Sequence, residues 1–307
     1  MKSDLPKVLH EVCGRPMLGC VLSVCRLAGV DRMVIVVGHG REAVMSRFAS
    51  ESGIAWVEQR EQKGTGHAVL CCRDALKDFS GNVLVIAGDM PLVRRRTLVG
   101  LIEMRERRGD AVSLATSFLD DPTGYGRIVR DAEGNLEAIV EHNECTPRQR
   151  AIEEVNPSYY CFEAERLFES LEQVEPKGAK GEYYLTEAVH LLRRANHGIS
   201  GEVKVNPEEG LGVNSRFDLA LVSRVMQDRI QRGLMDEGVT IVDPDNTWIE
   251  SDVAIGRETI VYPFTMIQAG AIIGEGCRVG PLVRIGAGEV LKDGSSIEPS
   301  ITNGVTT

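Results

Sequence analysis

One loop of the sequence carries side chains that could bind a nucleotide. It begins at Gln59 and reads Gln-Arg-Glu-Gln-Lys-Gly-Thr-Gly-His. The amides of Gln59 and Gln62 could recognise an amide-like edge such as that of a pyrimidine base, and Gly64 and Gly66 would let the backbone approach a ligand. The loop joins a predicted strand to a predicted helix, so an ordinary connection with Thr65 as the N-cap fits the pattern equally well.

A carboxylate and a lysine could bind a metal ion and a phosphate. Asp89 follows a strongly apolar segment, residues 83–87, which predicts a buried strand. A carboxylate at the tip of a central strand is well placed to hold Mg²⁺ against a phosphate. Capping of the next segment is an equally common role for such an aspartate. Lys7 follows Pro6 and could offer a positive charge to a phosphate, although an isolated lysine is usually solvated.

Polar residues at the ends of two neighbouring segments could bind a sugar. They are Glu141 and Asn156, although each residue type, taken singly, is more often a surface or capping residue. The sequence contains no Walker A motif, no G-x-G-x-x-G and no H-E-x-x-H. P-loop, dinucleotide-binding and zinc-hydrolase functions therefore have no support from motifs.

The elements that would position these residues alternate between strands and helices. Short apolar segments between residues 33 and 116 alternate with segments of helical periodicity, which predicts an α/β fold with a doubly wound parallel sheet. Ligands in such folds bind beyond the carboxyl ends of the strands, where the loops that hold Gln59 and Asp89 would lie. Residues 126–130 and 136–141 flank a turn-rich stretch and predict a β-hairpin.

The periodicity of the sequence changes near residue 249. From there an aliphatic residue recurs every six positions through nine unbroken hexads, which predicts a parallel β-helix of about three coils. The repeated positions are Ile249, Ile255, Val261, Ile267, Ile273, Val279, Ile285, Leu291 and Ile297. Glycine follows four of them, where a tight corner would need a residue without a Cβ: Gly256, Gly274, Gly280 and Gly286.

The composition is that of an ordinary globular protein with room for two domains. The chain has 307 residues, of which 43% are hydrophobic and 26% charged, and a formal net charge of −10. This acidic balance argues against a protein that mainly binds nucleic acid or an anionic membrane. No apolar segment approaches the ~20 residues that span a bilayer, and the eight cysteines form no C-x-x-C pair. We therefore expect a cytoplasmic protein with reduced core thiols.

Blocks of residues along nearly the whole chain carry a family resemblance. They lie at 3–10, 14–17, 62–67, 88–92, 121–127, 140–142, 181–186 and 212–214. In this order they resemble the bacterial bifunctional N-acetylglucosamine-1-phosphate uridyltransferase/glucosamine-1-phosphate acetyltransferase family. The resemblance implies a Rossmann-like nucleotidyltransferase domain with a mixed sheet at residues 1–218 and a left-handed parallel β-helix at 238–307. Apolar residues at helical spacing predict a linker helix at 219–237 between them.

The resemblance also implies roles for individual residues, a cofactor and an assembly. Phosphate would be contacted by Lys7, and the uracil base by Gln59, Gly64 and Thr65. The acetamido sugar would be held by Gly126, Glu141 and Asn156. Mg²⁺ would be bound by Asp89 and Asn214. The expected assembly is a homotrimer formed through the β-helix.

Some features of the family pattern are missing from this sequence. In the family a first strand and a Gly-rich loop ending in Gly-Thr-Arg precede the block that here begins at Met1, and we expect the natural protein to contain them. The family's Asn-Thr-Gly-type step after Asn156 is replaced by Pro157-Ser158. The family's long β-helix is represented here by about three coils, so we do not expect acetyltransferase activity.

The reaction that the resemblance implies converts UTP and N-acetylglucosamine 1-phosphate to UDP-N-acetylglucosamine and pyrophosphate. Such phosphoryl chemistry depends on alignment and charge neutralisation, which agrees with candidates that include a cation and a carboxylate but no nucleophile. The same scaffold could instead use another sugar 1-phosphate or nucleotide, such as glucose 1-phosphate. A non-catalytic regulatory or assembly homologue is the other alternative.

Overall fold

The computed structural model describes residues 1–178 and 181–299, so residues 300–307 of the predicted β-helix domain lie outside the described residues. The α-helices in these ranges are α1 (Met17–Leu27), α2 (Arg41–Arg47), α3 (Thr65–Leu70), α4 (Arg73–Leu76), α5 (Arg95–Arg108), α6 (Pro147–Arg150), α7 (Ala164–Leu171), α8 (Leu185–Arg194) and α9 (Arg216–Asp236). The strands up to residue 204 are β1 (Glu11–Val12), β2 (Arg15–Pro16), β3 (Met33–Val37), β4 (Ile54–Glu58), β5 (Asn82–Val85), β6 (Val112–Phe118), β7 (Gly126–Arg130), β8 (Leu136–Val140), β9 (Glu154–Asn156), β10 (Tyr160–Glu163) and β11 (Ile199–Lys204). The later strands are β12 (Thr240–Ile241), β13 (Thr247–Ile249), β14 (Ala254–Ile255), β15 (Ile260–Val261), β16 (Thr265–Ile267), β17 (Ile272–Ile273), β18 (Arg278–Val279), β19 (Arg284–Ile285), β20 (Val290–Leu291) and β21 (Ser296–Ile297).

The first compact unit, Met1–Leu9 with Leu18–Gly212, is built on a mixed sheet. The strand order is β5-β10-β6-β9-β7-β8, and β11 also pairs with β6. β11 is parallel to β6, whereas β10 runs antiparallel to both β5 and β6. β3 and β4 form a separate parallel pair. Strand and helix alternation predicted only parallel pairing. It missed the antiparallel β10 because this strand comes from a later segment of the chain that returns to the sheet.

Apolar side chains cover both faces of this sheet. Consecutive residues of a strand point to opposite faces, and those of β10 therefore enter different clusters. Cys161 packs in a cluster with residues of α1 and α5, whereas Tyr160 and Phe162 pack in a second cluster with residues of α7 and α8. Helices thus pack on both sides of the sheet, as doubly wound α/β folds require.

The β7–β8 hairpin agrees with the predicted bounds to within one residue. Asp131 closes its turn, because Oδ1 accepts hydrogen bonds from the backbone N–H groups of Glu133 and Asn135 at 3.1 and 2.8 Å. A short polar side chain that closes the turn helps to set the register of the two strands. β7 also pairs with β9, which places Gly126 opposite Asn156.

The second compact unit consists of His10–Met17 and the chain from Val213 onward. Its helix α9 begins with a capping box, in which Ser215 Oγ accepts from Asp218 N–H at 3.1 Å and the Asp218 carboxylate accepts from Ser215 N–H at 2.7 Å. The apolar pattern predicted a start at residue 219. The capping box adds the preceding turn, which apolar periodicity does not detect because the caps are polar.

The hexapeptide repeats form the predicted parallel β-helix. Its three faces are β12-β15-β18-β21, β13-β16-β19 and β14-β17-β20, and Ile249, Ile267 and Ile285 stack in one interior column, at most 1% exposed. The stacking begins before the first predicted hexad, because Ile241 pairs with Val261. The sequence period missed this coil because a 3₁₀ turn after β12 adds residues to it.

Two of the repeat glycines are required by the stacking of coils. A Cβ on Gly256 would lie 2.6 Å from the backbone N of Glu275, and a Cβ on Gly274 would lie 2.5 Å from the backbone N of Asp293. Neither glycine has a positive φ, so the predicted need for a residue without a Cβ arises here from the close backbone of the next coil. At Gly286 the nearest atom to such a Cβ would be the end of a glutamate side chain at 3.4 Å.

We expect Gly256→Ala to destabilise the β-helix by about 1–3 kcal/mol, because the new methyl group overpacks the backbone of the next coil. Gly286→Ala is the matched control and should change the unfolding free energy by less than about 0.5 kcal/mol. Urea unfolding followed by the fluorescence of Trp248, in a Trp56→Phe background, reports on this unit. Equal stability of the two variants would contradict the stacking argument.

Candidate active site

The 59–66 loop is held in place by backbone hydrogen bonds to a distant segment. Gly66 N–H donates to the carbonyl of Tyr183 at 2.7 Å, and Tyr183 N–H donates to the carbonyl of Lys63 at 2.7 Å. Leu185 N–H donates to Thr65 Oγ1 at 3.1 Å. The segment 183–186, which leads into α8, therefore determines the conformation of the loop that the sequence analysis assigned to the base.

The glycines of this loop permit close packing against that segment. Gly64 has a φ of +103°, and a Cβ on it would lie 2.7 Å from the carbonyl oxygen of Tyr183; a Cβ on Gly66 would lie 3.0 Å from the same atom. The sequence predicts that a ligand approaches these glycines, whereas in the structure protein backbone already occupies one side of them. Gly64, not Thr65, is the N-cap residue of α3.

Gln59 and Gln62 differ in their surroundings. Gln59 is partly buried, and its Nε2 donates to the carbonyl of Gly64 at 3.1 Å. Gln62 is exposed. Gln59 is therefore the better fixed of the two amides that could read a base.

Asp89 and Lys7 form an ion pair. Asp89 lies in the loop after β5, and its Oδ2 is 2.5 Å from Lys7 Nζ, with the two side chains 20% and 39% exposed. Mg²⁺ usually binds one or two carboxylates together with water and substrate phosphates, so a single accessible carboxylate beside a lysine fits such an ion. No cluster of three or more His, Cys, Asp or Glu within residues 1–178 and 181–299 could hold a metal ion by itself.

Asn214, the other predicted metal ligand, belongs to the second compact unit. It is exposed, and its backbone N–H donates to Asp218 Oδ2 at 2.9 Å immediately before α9. Its pairing with Asp89 around a metal ion stays a prediction.

The three predicted sugar residues lie at one end of the β7, β8 and β9 strands. Gly126 begins β7, Asn156 ends β9, and the two are paired residues. Glu141 directly follows β8, whose last residue pairs with the second residue of β7. The sheet therefore brings together residues that are up to thirty positions apart in the sequence.

The polar atoms of this group are partly occupied by protein contacts. Glu141 Oε1 accepts a hydrogen bond from Thr186 Oγ1 at 2.8 Å. Asn156 donates from Nδ2 to the Tyr160 hydroxyl at 2.5 Å and accepts at Oδ1 from Ser158 N–H at 3.0 Å. Ser158 has a φ of +63°, so the Pro-Ser step that departs from the family pattern forms a turn closed by the Asn156 side chain.

Burial sets the ionisation of Glu141. Removal of the carboxylate from solvent raises its pKa, the hydrogen bond from Thr186 lowers it, and the negative charges of Glu144 and Glu182 raise it further. The net effect is a pKa above the ordinary value. A carboxyl group of raised pKa beside other polar groups is a common feature of functional sites.

Thr186 is a residue of this site to which the sequence analysis gave no role. It belongs to the segment 183–186, so the same short stretch contacts Thr65 through Leu185 N–H and Glu141 through the Thr186 hydroxyl. The available signal was the block at residues 181–186, which carried part of the family resemblance. Its function as a bridge could not be read from residue types, because both contacts are to distant segments.

The chain belongs to a family of nucleotide-handling transferases. Residues 1–192 match the model of the MobA-like NTP transferase domain, and residues 246–287 match that of the bacterial transferase hexapeptide, in six repeats. The chain is therefore a member of the MobA-like NTP transferase family. The predicted fold class, a nucleotidyltransferase domain with a mixed sheet followed by a short left-handed parallel β-helix, is confirmed.

Particular relatives carry the name bifunctional protein GlmU. The chain is 44% identical over 267 residues to the one from Clostridium perfringens (strain SM101 / Type A), which covers 87% of this chain and 58% of that protein. It is 46% identical over 263 residues to the one from Trichlorobacter lovleyi, and this match covers 86% of this chain and 57% of that protein. The predicted family resemblance is confirmed, and the chain spans less than two thirds of the length of these curated relatives.

A solved structure shares the fold. The crystal structure of UDP-glucose pyrophosphorylase complexed with UDP-glucose superimposes with a TM-score of 0.55 and 15% sequence identity, covering 73% of this chain and 91% of that chain. At this identity the likeness concerns the fold alone. Among the described residues, no helix has the length and apolarity needed to cross a bilayer.

We expect Glu141→Gln to stabilise the fold at pH 7. A carboxyl group whose pKa is raised by folding contributes stability below its unfolded pKa of 4.5, and this contribution is lost as the pH rises through the folded pKa. The glutamine side chain does not ionise, so it avoids this loss of stability, and its carbonyl oxygen can still accept the hydrogen bond from the Thr186 hydroxyl. The urea midpoint of Glu141→Gln should therefore exceed that of the wild type at pH 7, and the gap should close towards pH 4. The exposed Glu153→Gln is the control, and a gap that does not change with pH would contradict this account.

Proposed function

We propose that this chain makes UDP-N-acetylglucosamine and pyrophosphate from UTP and N-acetylglucosamine 1-phosphate. The observation that carries the proposal is the bridge at residues 183–186, which joins the loop of Gln59 to the carboxylate of Glu141. A base-reading loop and a sugar-binding carboxylate on one hydrogen-bonded connection suit an enzyme that must align a nucleotide with a sugar phosphate. The relatives named GlmU support the same assignment.

In the proposed reaction a phosphate oxygen of the sugar phosphate attacks the α-phosphorus of UTP. The new P–O bond forms as the bond to the pyrophosphate oxygen breaks, and the pyrophosphate takes the electron pair. This displacement needs no covalent intermediate with the protein, which agrees with a candidate site whose residues bind and orient. Bound Mg²⁺ would supply neutralisation of the phosphate charge.

Lys7 and Asp89 have complementary roles in this proposal. Their ion pair holds a cation and a carboxylate side by side after β5. We assign the Lys7 ammonium to a phosphate oxygen of the substrate and the Asp89 carboxylate to Mg²⁺. When the ligands bind, Lys7 would exchange Asp89 for a phosphate oxygen, and Asp89 would exchange Lys7 for Mg²⁺. Neither charged group would then be left without a partner of opposite charge.

The sugar would be oriented by the residues at the ends of β7, β8 and β9. Glu141 retains Oε2 as an acceptor for a sugar hydroxyl, because the Thr186 hydroxyl uses Oε1. Asn156 retains one amide hydrogen and one lone pair beyond its two protein contacts. Together with the backbone at Gly126, these groups suit a polar, uncharged sugar ring with an acetamido substituent.

An assay of the full-length protein against a panel of substrates tests the function. UTP, CTP, ATP and dTTP are combined with N-acetylglucosamine 1-phosphate or glucose 1-phosphate, and pyrophosphate release is measured with Mg²⁺ and with EDTA. The highest kcat/KM should belong to UTP with N-acetylglucosamine 1-phosphate. A preference for glucose 1-phosphate would select the sister activity, and nucleotide binding without turnover would select a non-catalytic homologue.

We expect Asp89→Ala to lower kcat by ~10²–10³-fold, as removal of one group that stabilises transition-state charge commonly does. The exposed Asp78→Ala removes the same charge away from the site and should leave kcat unchanged. Circular dichroism and urea unfolding verify that both variants fold. Turnover of Asp89→Ala within a few-fold of the wild type would remove Asp89 from the site.

We further propose that the protein is a homotrimer assembled through the β-helix. Outward residues of the β14-β17-β20 face form an apolar column, because Ala254, Ile272 and Val290 pair in succession. Ile272 is 51% and Val290 63% exposed. The family resemblance implies trimers of this element, and burial of such a column between subunits would stabilise them.

Ile272→Glu should convert the trimer to monomers, because three carboxylates would have to be buried at the interface of the assembly. Arg278→Glu introduces the same side chain at an outward position of the β12-β15-β18-β21 face and serves as the control. Size-exclusion chromatography with light scattering gives the masses. A wild-type monomer at micromolar concentration would refute the trimer, and an unchanged trimer for Ile272→Glu would move the interface to another face.

A further inference from the structure

The side-chain amide of Gln59 is held by two acceptors. Its Nε2 lies 3.1 Å from the carbonyl oxygen of Gly64 and 2.9 Å from Nδ1 of His67. Gly64 precedes α3 and His67 lies in its first turn. One amide nitrogen with two hydrogens can serve both contacts at once.

The carbonyl of Gly64 determines which way the amide faces. A backbone carbonyl oxygen can only accept a hydrogen bond, so the group of Gln59 directed at it must be the NH₂ group and not Oε1. The NH₂ group has no lone pair to offer, so Nδ1 of His67 must also act as an acceptor. The proton of the neutral imidazole is then on Nε2.

The opposite side of the imidazole is consistent with this tautomer. Nε2 of His67 lies 4.0 Å from Sγ of Cys71, which follows one turn later and can accept a weak hydrogen bond from N–H. The ring also packs at a tilt against Tyr183, with 6.2 Å between the ring centroids. His67 is thus oriented by the residue at its helical i+4 position and by the 183–186 segment.

This arrangement leaves Oε1 of Gln59 available. No hydrogen bond among the described residues involves Oε1, and the Gln59 side chain is partly exposed. If the amide turned over, Oε1 would face and repel the Gly64 oxygen. The contact with His67 would then need the other tautomer, in which Nε2 has no proton to donate to Cys71 Sγ. Gln59 therefore presents an acceptor to a ligand in this loop.

We propose that His67 is a positioning residue for base selectivity. The Gly64 carbonyl selects the orientation of the Gln59 amide, and the second hydrogen bond, to His67, holds the amide in that orientation with Oε1 towards the base. Uracil offers an imide N–H at the ring position where cytosine has a bare nitrogen lone pair. An acceptor held at Oε1 pairs with the first and repels the second, whereas a freely rotating amide would accommodate both. The inference rests on the proposed function, in which Gln59 reads the base, and adds the residue that holds the Gln59 amide in its selected orientation.

The test uses His67→Phe, which keeps a ring against Tyr183 but has no acceptor, and His67→Asn, whose Oδ1 can occupy the place of Nδ1. The kcat/KM values for UTP and CTP with N-acetylglucosamine 1-phosphate are measured on the full-length protein, together with calorimetric binding of each nucleotide. We expect His67→Phe to lower the UTP-to-CTP ratio by up to about tenfold, the upper range for the loss of one hydrogen bond. His67→Asn should restore the ratio to within about threefold of the wild type. kcat at saturating UTP should change less than the ratio.

Different outcomes separate the inference from the proposed function. A wild-type protein without preference for UTP over CTP would overturn both. A wild-type preference that His67→Phe retains would overturn the role of His67 alone, and so would an equal loss of selectivity in His67→Phe and His67→Asn. Urea unfolding identifies a variant that does not fold, in which case His67→Leu replaces His67→Phe with the same expected loss.

Discussion

The geometry of the candidate active site depends on the hydrogen bonds between residues 183–186 and the 59–66 loop. Two backbone hydrogen bonds of 2.7 Å bring these two segments so close together that a Cβ at Gly64 would overlap the backbone of Tyr183. The same segment then reaches Glu141 through Thr186. A displacement of this segment would move the 59–66 loop and the Glu141 carboxylate together, because the start of α8 contacts both.

The candidate site combines few charges with strong local constraints. In the proposed function, the formal net charge of −10 would repel triphosphates at long range, so their attraction would come from nearby groups such as Lys7. Lys7 is paired with Asp89, and the pair places one cation beside one carboxylate. Glu141 is held partly buried although burial raises its pKa. A carboxylate placed at such a cost in stability is typical of functional sites, where local rules are broken for chemistry.

The two compact units differ in how their sequences specify them. In the β-helix each strand pairs with the equivalent strand of the next coil, usually eighteen residues later, so the pattern of each repeat contains the information needed for packing. In the α/β unit, β10 lies between β5 and β6 although it follows them by many residues. Its place in the sheet depends on long-range pairing that no local pattern records.

The sequence by itself determined the hexapeptide repeats, the β7–β8 hairpin, the strand and helix alternation and the family, because these follow from periodicity, turn chemistry and ordered blocks of residues. It also named candidate residues from their types, including Asp89, Glu141 and Gln59. Only the tertiary structure decided that β10 is the strand inserted antiparallel between β5 and β6, that Gly64 and Gly66 pack against backbone, and that Thr186 and His67 contact Glu141 and Gln59. These features are contacts between segments far apart in sequence, or the choice of one amide orientation, and both depend on which atoms the fold brings within hydrogen-bonding distance.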